Sequence, residues 1–374
     1  MGGEQTPIPL FRAPAVATLP PLLSAVLASG QLAGGAQVSE FEQTLGRYLN
    51  HPHVLATSDR SGALTLALRA AGVGSGDEVM LSPLVCLATS MPIANLQAKP
   101  VWCDIDPMTG MLTSATLEGC VTARTKAIIT YHWGGDIGPL AELRAFADAH
   151  GLVLIEDAAA AFGGEYRGHP IGSTTSDYAV LSFYAVNQLS LGEGGALVCR
   201  RAADLEALRR QRRYGIHQPS FRLANGDLNP DSDIPISGYN FGLSNLHAAL
   251  GMTQFAALPA RIARYRENGR FFDHALQGIS GLTLLARRPD AVSGYWVYAL
   301  RARCRAALLA KLHAHGIGAQ RLHLRNDHYT CFERSAHVLP GVECFDTENL
   351  CVPCGWWVDE AARAQIADCL RAGW

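Results

Sequence analysis

Three short runs hold most of the residue types that could do chemistry. Leu154-Ile155-Glu156-Asp157-Ala158-Ala159 is an apolar stretch that ends in carboxylates. Leu181-Ser182-Phe183-Tyr184-Ala185-Val186-Asn187-Gln188-Leu189 leads into Gly192-Glu193-Gly194-Gly195. Ser58-Asp59-Arg60-Ser61-Gly62 separates an apolar run from a helical one. Glu156, Asp157 and Glu193 are candidate acids and bases, and His132 and Tyr184 are candidate proton carriers. Backbone N–H groups in the Ser58–Gly62 loop, at a helix start, could cradle an anionic group, with Ser182 adding a hydroxyl. Asn187 is an amide, so it can neither form an imine with a carbonyl nor take a proton near neutral pH. Each of these has a plainer alternative. Asp157 and Ser182 taken singly read as strand-end residues bonded to nearby backbone, and His132 as a buried, hydrogen-bonded histidine.

Elements must bring these runs together. Apolar runs alternate with helical patterns along the chain: Val54–Thr57 before Ala63–Ala71, Glu78–Leu81 before Ala88–Gln97, then Pro100–Cys103, and Lys126–Tyr131 before Leu140–His150. Leu152–Ile155, Tyr178–Leu181 and Ala196–Cys199 follow. This alternation predicts an α/β fold: a mostly parallel sheet with helices on both faces, and ligands at the carboxyl ends of its strands. Asp157, Ser182 and the Ser58–Gly62 loop fall at those ends. A helical stretch from Leu246 to Leu276, a strand over Tyr295–Leu300 and a helix over Ala306–His315 predict a small C-terminal α+β domain. The expected division is 1–255 and 256–374.

The wording and order of these runs resemble the DegT/DnrJ/EryC1/StrS family, the sugar aminotransferases among fold-type I pyridoxal-phosphate enzymes. Gly238-Tyr239-Asn240-Phe241, Leu322-His323-Leu324-Arg325-Asn326-Asp327 and Gly355-Trp356-Trp357 extend the resemblance from Pro7 to the C-terminus. It implies a seven-stranded-type sheet, with Asp157 on the cofactor's pyridine nitrogen and Ser61 and Ser182 around its phosphate, where Arg60 either adds a cation or blocks the anion. Ala160 would lie near the phenolic oxygen. Asn240 would reach the neighbouring subunit's phosphate, so a homodimer with a shared site is implied. The position of Asn187 is the family's Schiff-base lysine. Arg60 stands in a glycine slot, Ala160 for a glutamine or histidine, and Gly242 for an arginine. The chemistry then divides. Pyridoxal or pyridoxamine phosphate is held without a covalent bond, as in certain sugar 3-dehydratases of the family. Otherwise the cleft is reused, without cofactor, for acid–base chemistry by Glu156, Asp157 and Glu193. A non-catalytic partner of an active homologue, or a lysine replaced in an ordinary aminotransferase, are further alternatives; the accompanying changes favour natural divergence. If the groove is kept, Asn187→Lys should recover some cofactor binding. The resemblance implies an amino-sugar, nucleotide-sugar or related intermediate as substrate.

Bulk properties narrow the partners. The chain has 374 residues, 48% hydrophobic and 17% charged, with a formal charge of −2. That balance gives no electrostatic case for nucleic acid or an anionic membrane, and the low charged fraction suits an oligomer. No apolar run approaches the ~20 residues that span a bilayer. Met1–Pro7 lacks a basic segment followed by an apolar core, so a cytoplasmic location is expected. There are ten cysteines. Cys331, Cys344, Cys351 and Cys354 could form a metal or iron–sulfur site, but no second close pair completes a ligand set, and a buried strand through Leu350–Pro353 is the simpler expectation.

Overall fold

The computed structural model describes residues 7–14, 19–173 and 175–374. The Met1–Thr6 part of the segment read for a leader lies outside the described residues. Seven strands form the central sheet: β1 (Val54–Thr57), β2 (Glu78–Leu81), β3 (Lys99–Trp102), β4 (Thr125–Tyr131), β5 (Val153–Asp157), β6 (Tyr178–Ser182) and β7 (Gly195–Cys199). Their spatial order is β1-β7-β6-β5-β4-β2-β3. The pairs from β6 through β5, β4 and β2 to β3 are parallel, and β7 runs antiparallel to both its neighbours. Helices cover both faces, as the alternating side chains require. Val180 joins one buried apolar cluster while Ala179 and Leu181 join the other. Among the described residues no helix is long and apolar enough to cross a membrane.

The helix Arg60–Ala70 follows β1 and is buried over Gly62–Leu68. It is apolar nearly all round because it is wrapped by the sheet and its neighbours. Its first turn is held close to the sheet by Gly195, where an added Cβ would come within 2.6 Å of the Asp59 carbonyl. This contact fixes where the Arg60 side chain starts.

The sequence reading of one helix from Leu246 to Leu276 needs correction. The chain forms two helices, Asn245–Met252 and Leu258–Ala275. Pro259 has no N–H to continue a helix and is accepted only in a first turn, so the second helix restarts there. A three-stranded antiparallel sheet follows, with Tyr298–Ala302 between Leu282–Leu284 and Asn349–Val352. It shares a third apolar cluster with Tyr265, Phe272, Ile366 and Leu370. The strand expected over Tyr295–Leu300 starts only at Tyr298. Tyr295 has φ 46°, outside the extended region, and this turn frees Trp296 to face the cleft.

Candidate functional site

A cavity of about 590 Å³ opens at the carboxyl ends of β4, β5 and β6. Arg60, Ser61, Ala160, Ser182, Tyr184, Asn187 and Glu193 all line it, as the sequence suggested. Asp59, Cys86, Tyr131, Trp296, Gln320 and His323 are also on the wall, and Phe11 stacks on Trp296 at 4.8 Å between ring centroids. Tyr184 and Glu193 stand at the exposed rim.

Asp157 ends β5 and has no exposed surface. Its Oδ2 accepts the Thr89 hydroxyl at 2.6 Å and its Oδ1 accepts the Ala159 N–H at 3.2 Å. Arg60 Nη1 lies 3.7 Å from Oδ2. Arg60 lines the cavity and Asp157 does not, so the guanidinium covers the carboxylate. Burial works against the Arg60 charge, but Asp157, with smaller help from Cys86 and Tyr131, outweighs it and raises the Arg60 pKa. Arg60 Nη2 is buried without a hydrogen-bond partner.

The loop ahead of that helix is already capped. Asp59 Oδ1 accepts the Gly62 N–H at 2.8 Å, and its Oδ2 accepts the Ser58 hydroxyl at 2.8 Å. A carboxylate from the chain itself therefore sits on the helix N-terminus. Asn187 is 5% exposed. Its Nδ2 donates to the Ser182 carbonyl at 2.8 Å and to the Ala159 carbonyl at 3.4 Å.

Two residues expected at the site lie elsewhere. His132 and Glu156 are fully buried and do not line the cavity. His132 Nδ1 accepts the Gly138 N–H at 3.2 Å, and Nε2 faces Glu156 Oε1 at 3.2 Å. Glu156 Oε2 accepts the Ser176 hydroxyl. Successive strand residues point to opposite faces, so Glu156 turns away wherever Asp157 turns in. Neither can exchange a proton with a ligand in the cavity. Asn240 is exposed, its Oδ1 accepting from Arg213 Nη1 at 2.8 Å, and it does not line its own chain's cavity. The cysteines do not assemble. Cys351 and Cys354 are buried while Cys331 and Cys344 are exposed, and no group of three or more potential ligands exists among the described residues.

The reading of single runs missed Tyr131 and His323, whose Oη and Nε2 are 2.9 Å apart. Tyr131 pairs in register with Asp157 across β4 and β5, a signal that the strand pattern carried. Burial, then the Asp157 charge, holds the Tyr131 hydroxyl well above its usual pKa. Burial and the Arg60 charge push the His323 imidazole down to about 3. Both groups are neutral near pH 7. Unfolded histidine titrates near 6.5, so the unfolded chain binds the extra proton between those values. Stability is expected to fall as pH drops from about 6.5 toward 3. His323→Gln should flatten that acid limb in urea melts at stepped pH; superimposable limbs would mean that the ring is charged in the fold.

Pyridoxal phosphate, the group that the resemblance implies, does not fit this arrangement. The carboxylate for its ring nitrogen is covered by Arg60, and Ala160 offers its phenolic oxygen no polar partner. The helix start for its phosphate already holds Asp59, and Asn187 cannot bond its aldehyde. The chain has lysines only at Lys99, Lys126 and Lys311, none of which lines the cavity.

Comparison with known proteins gives the relationship. The structure matches the sugar aminotransferase CalS13 from Micromonospora echinospora with a TM-score of 0.93 and 32% identity, covering 98% of this chain and 100% of that one. AtS13 from Actinomadura melliaura gives 0.93 and 32% over 100% of both chains. DesV of S. venezuelae, solved in complex with a ketimine intermediate, gives 0.86 and 28% over 94% of this chain and 92% of that one. The DegT/DnrJ/EryC1/StrS aminotransferase family matches residues 18–371, and the chain belongs to that family.

Proposed function

We propose that this chain is an enzyme that converts a small amino-sugar, nucleotide-sugar or related intermediate by acid–base chemistry, without pyridoxal phosphate. The family is one of pyridoxal-phosphate-dependent sugar aminotransferases, so the reading separates this chain from its relatives' chemistry. One observation carries it: Arg60 takes the cationic place beside Asp157 that a cofactor ring would need. With that seat filled, the groups that meet a ligand are Glu193 and Tyr184 at the rim and the Tyr131–His323 pair within. Glu193 accepts a proton at its carboxylate. Tyr131 and the neutral His323 ring share one hydrogen bond, and both line the cavity that receives the ligand. Phe11 and Trp296 supply an apolar face against which a sugar ring can lie and exclude water.

The test is a calorimetric and absorbance titration with pyridoxal phosphate and with pyridoxamine phosphate. Neither is expected to saturate a site. Tight binding that Asp157→Ala abolishes would remove this reading. A second reading would then stand, in which the cofactor is held without a covalent bond. It is favoured by Ser182 on the cavity wall and by the intact Thr89–Asp157 hydrogen bond. Both readings place the chain in the cytoplasm as a homodimer, with Asn240 offered to the partner's cleft. Sedimentation of the same samples should give the dimer mass, and a monomer at micromolar concentration would refute the shared site.

A further inference from the structure

A second cavity, of about 770 Å³, shares no residue with the cleft. It lies beside the amino end of β1, between the end of the helix Ala36–Leu49 and the end of the helix Ala202–Arg212. An ion pair joins the two helices there, Arg212 Nη1 lying 2.6 Å from Glu42 Oε1. Both partners also hold the edge strand. Glu42 Oε1 accepts the Ala56 N–H at 2.9 Å, and Arg212 Nη1 donates to the Ala56 carbonyl at 2.7 Å. Arg209, one turn before Arg212, comes onto the same wall. The carbonyl of Gly46, one turn after Glu42, accepts the His51 N–H at 2.9 Å, and a Cβ added to Gly46 would come within 2.9 Å of the His51 carbonyl. The glycine thus seats His51 on the wall beside Arg47.

The charges on this wall do not cancel. Arg47, Arg209 and Arg212 are its cations, and Glu42 is its acid among the described residues. Glu42 is matched by Arg212. Arg47 bonds the uncharged Thr44 hydroxyl, and neither Arg47 nor Arg209 has an ion-pair partner among the described residues. Both charges are therefore uncompensated on one concave surface, in a chain whose formal charge is −2. Each arginine lies in the last turn of its helix, where the dipole favours a cation. That preference does not require the two helix ends to share a groove. His51 Nδ1 accepts the His53 N–H at 3.3 Å. Burial, then the neighbouring His53, holds the His51 imidazole below its usual pKa, so the ring is neutral near pH 7 and carries its proton on Nε2.

We infer that this groove binds a phosphate group, free or carried on a small molecule, between Arg47 and Arg209. A guanidinium presents paired N–H donors on a planar fork, which matches two oxygens of a phosphate. Two uncompensated guanidiniums suit a dianion, and a cation would meet a wall of its own sign. The cavity is larger than one phosphate ion, so an organic phosphate fits with its anion at the arginines and its remainder over Pro52 and Val54. The inference does not rest on the proposed function, since no residue of the cleft takes part. The site nevertheless bears on the same strand. Arg212 and Glu42 clamp both polar backbone groups of Ala56, and β1 leads from there to Ser58 and Arg60.

The experiment follows carbon-13-labelled histidine rings of the full-length protein by NMR, the His51 signal being assigned by its loss in His51→Gln. Inorganic phosphate and phenyl phosphate are titrated against chloride at matched ionic strength. The His51 pKa is expected to rise by about one unit as phosphate saturates, because an anion favours the protonated ring. The charged and titratable groups around that ring, Arg47, Arg209, Arg212, Glu42 and His53, are the same in every titration, so the rise reports the added anion. Arg47→Gln and Arg209→Gln, both at exposed positions where urea midpoints should not move, are each expected to weaken binding about tenfold. Tighter binding of phenyl phosphate would identify an organic phosphate as the occupant, and equal binding the free ion; either result supports the site. A His51 response no larger than that to chloride, or one that survives the two arginine changes combined, would overturn the inference. The same double variant keeps this site apart from the cleft. Pyridoxal phosphate binding that the double variant abolishes belongs to the groove, whereas binding that Asp157→Ala abolishes belongs to the cleft.

Discussion

Arg60→Gly should lower stability by about 3 kcal/mol in plain buffer and recover much of it when pyridoxal phosphate is added. The loss follows from the fully buried Asp157, which would keep the Thr89 hydroxyl but lose its neighbouring cation. Breaking a buried ion pair by removing one partner costs about 3–5 kcal/mol, because the remaining charge is left uncompensated. The lower end applies, since 3.7 Å is an ionic contact without a direct hydrogen bond. Glycine at a first helical position adds little to this cost, as the Asp59 cap is unchanged. The recovery follows from the vacated space: a pyridinium can enter it and supply the missing positive charge. Urea unfolding with and without the cofactor reads both parts. A loss below about 1 kcal/mol would show that the pair is not structural. A normal loss without recovery would show that more than Arg60 closes the groove.

After excess pyridoxal phosphate is removed by gel filtration, Asn187→Lys alone should retain no bound chromophore, while Arg60→Gly with Asn187→Lys should retain one. This revises the expectation drawn from sequence, in which the lysine by itself restores binding. A lysine introduced there would enter a cleft whose ring-nitrogen partner is already covered by a guanidinium. The Arg60 charge would also disfavour a protonated pyridine ring beside it. Removing Arg60 relieves both obstacles, so the two changes should be strongly non-additive. Borohydride reduction followed by peptide mass mapping locates the bond. Label on the introduced lysine in the single variant would refute the covering role of Arg60. Label confined to Lys99, Lys126 or Lys311 in the double variant would refute the seat itself.

Much of this site could be read in the sequence because its parts lie close to strand ends. Asp157, Ser182 and the Ser58–Gly62 loop follow three strands of one sheet, and the topology delivers them to one edge. The motif order identified the family through the same residues. What stayed hidden depends on side-chain direction and on distance along the chain. Glu156 and Asp157 are neighbours in sequence but face opposite sides of β5, so a list of acidic residues could not separate them. His323 reaches Tyr131 across 192 positions, a contact that no local pattern encodes. Arg60 was noted as an occupant of a glycine slot, yet only its reach to Asp157 shows what it does there.

In a protein completed by a dissociable group, the folded fraction follows the supply of that group, because binding the native state alone pulls the equilibrium toward it. Here the positive charge beside Asp157 is translated with the chain. Every newly made copy carries its own counter-ion from the ribosome onward. On the reading offered above, the folded fraction of this chain does not change with the supply of pyridoxal phosphate.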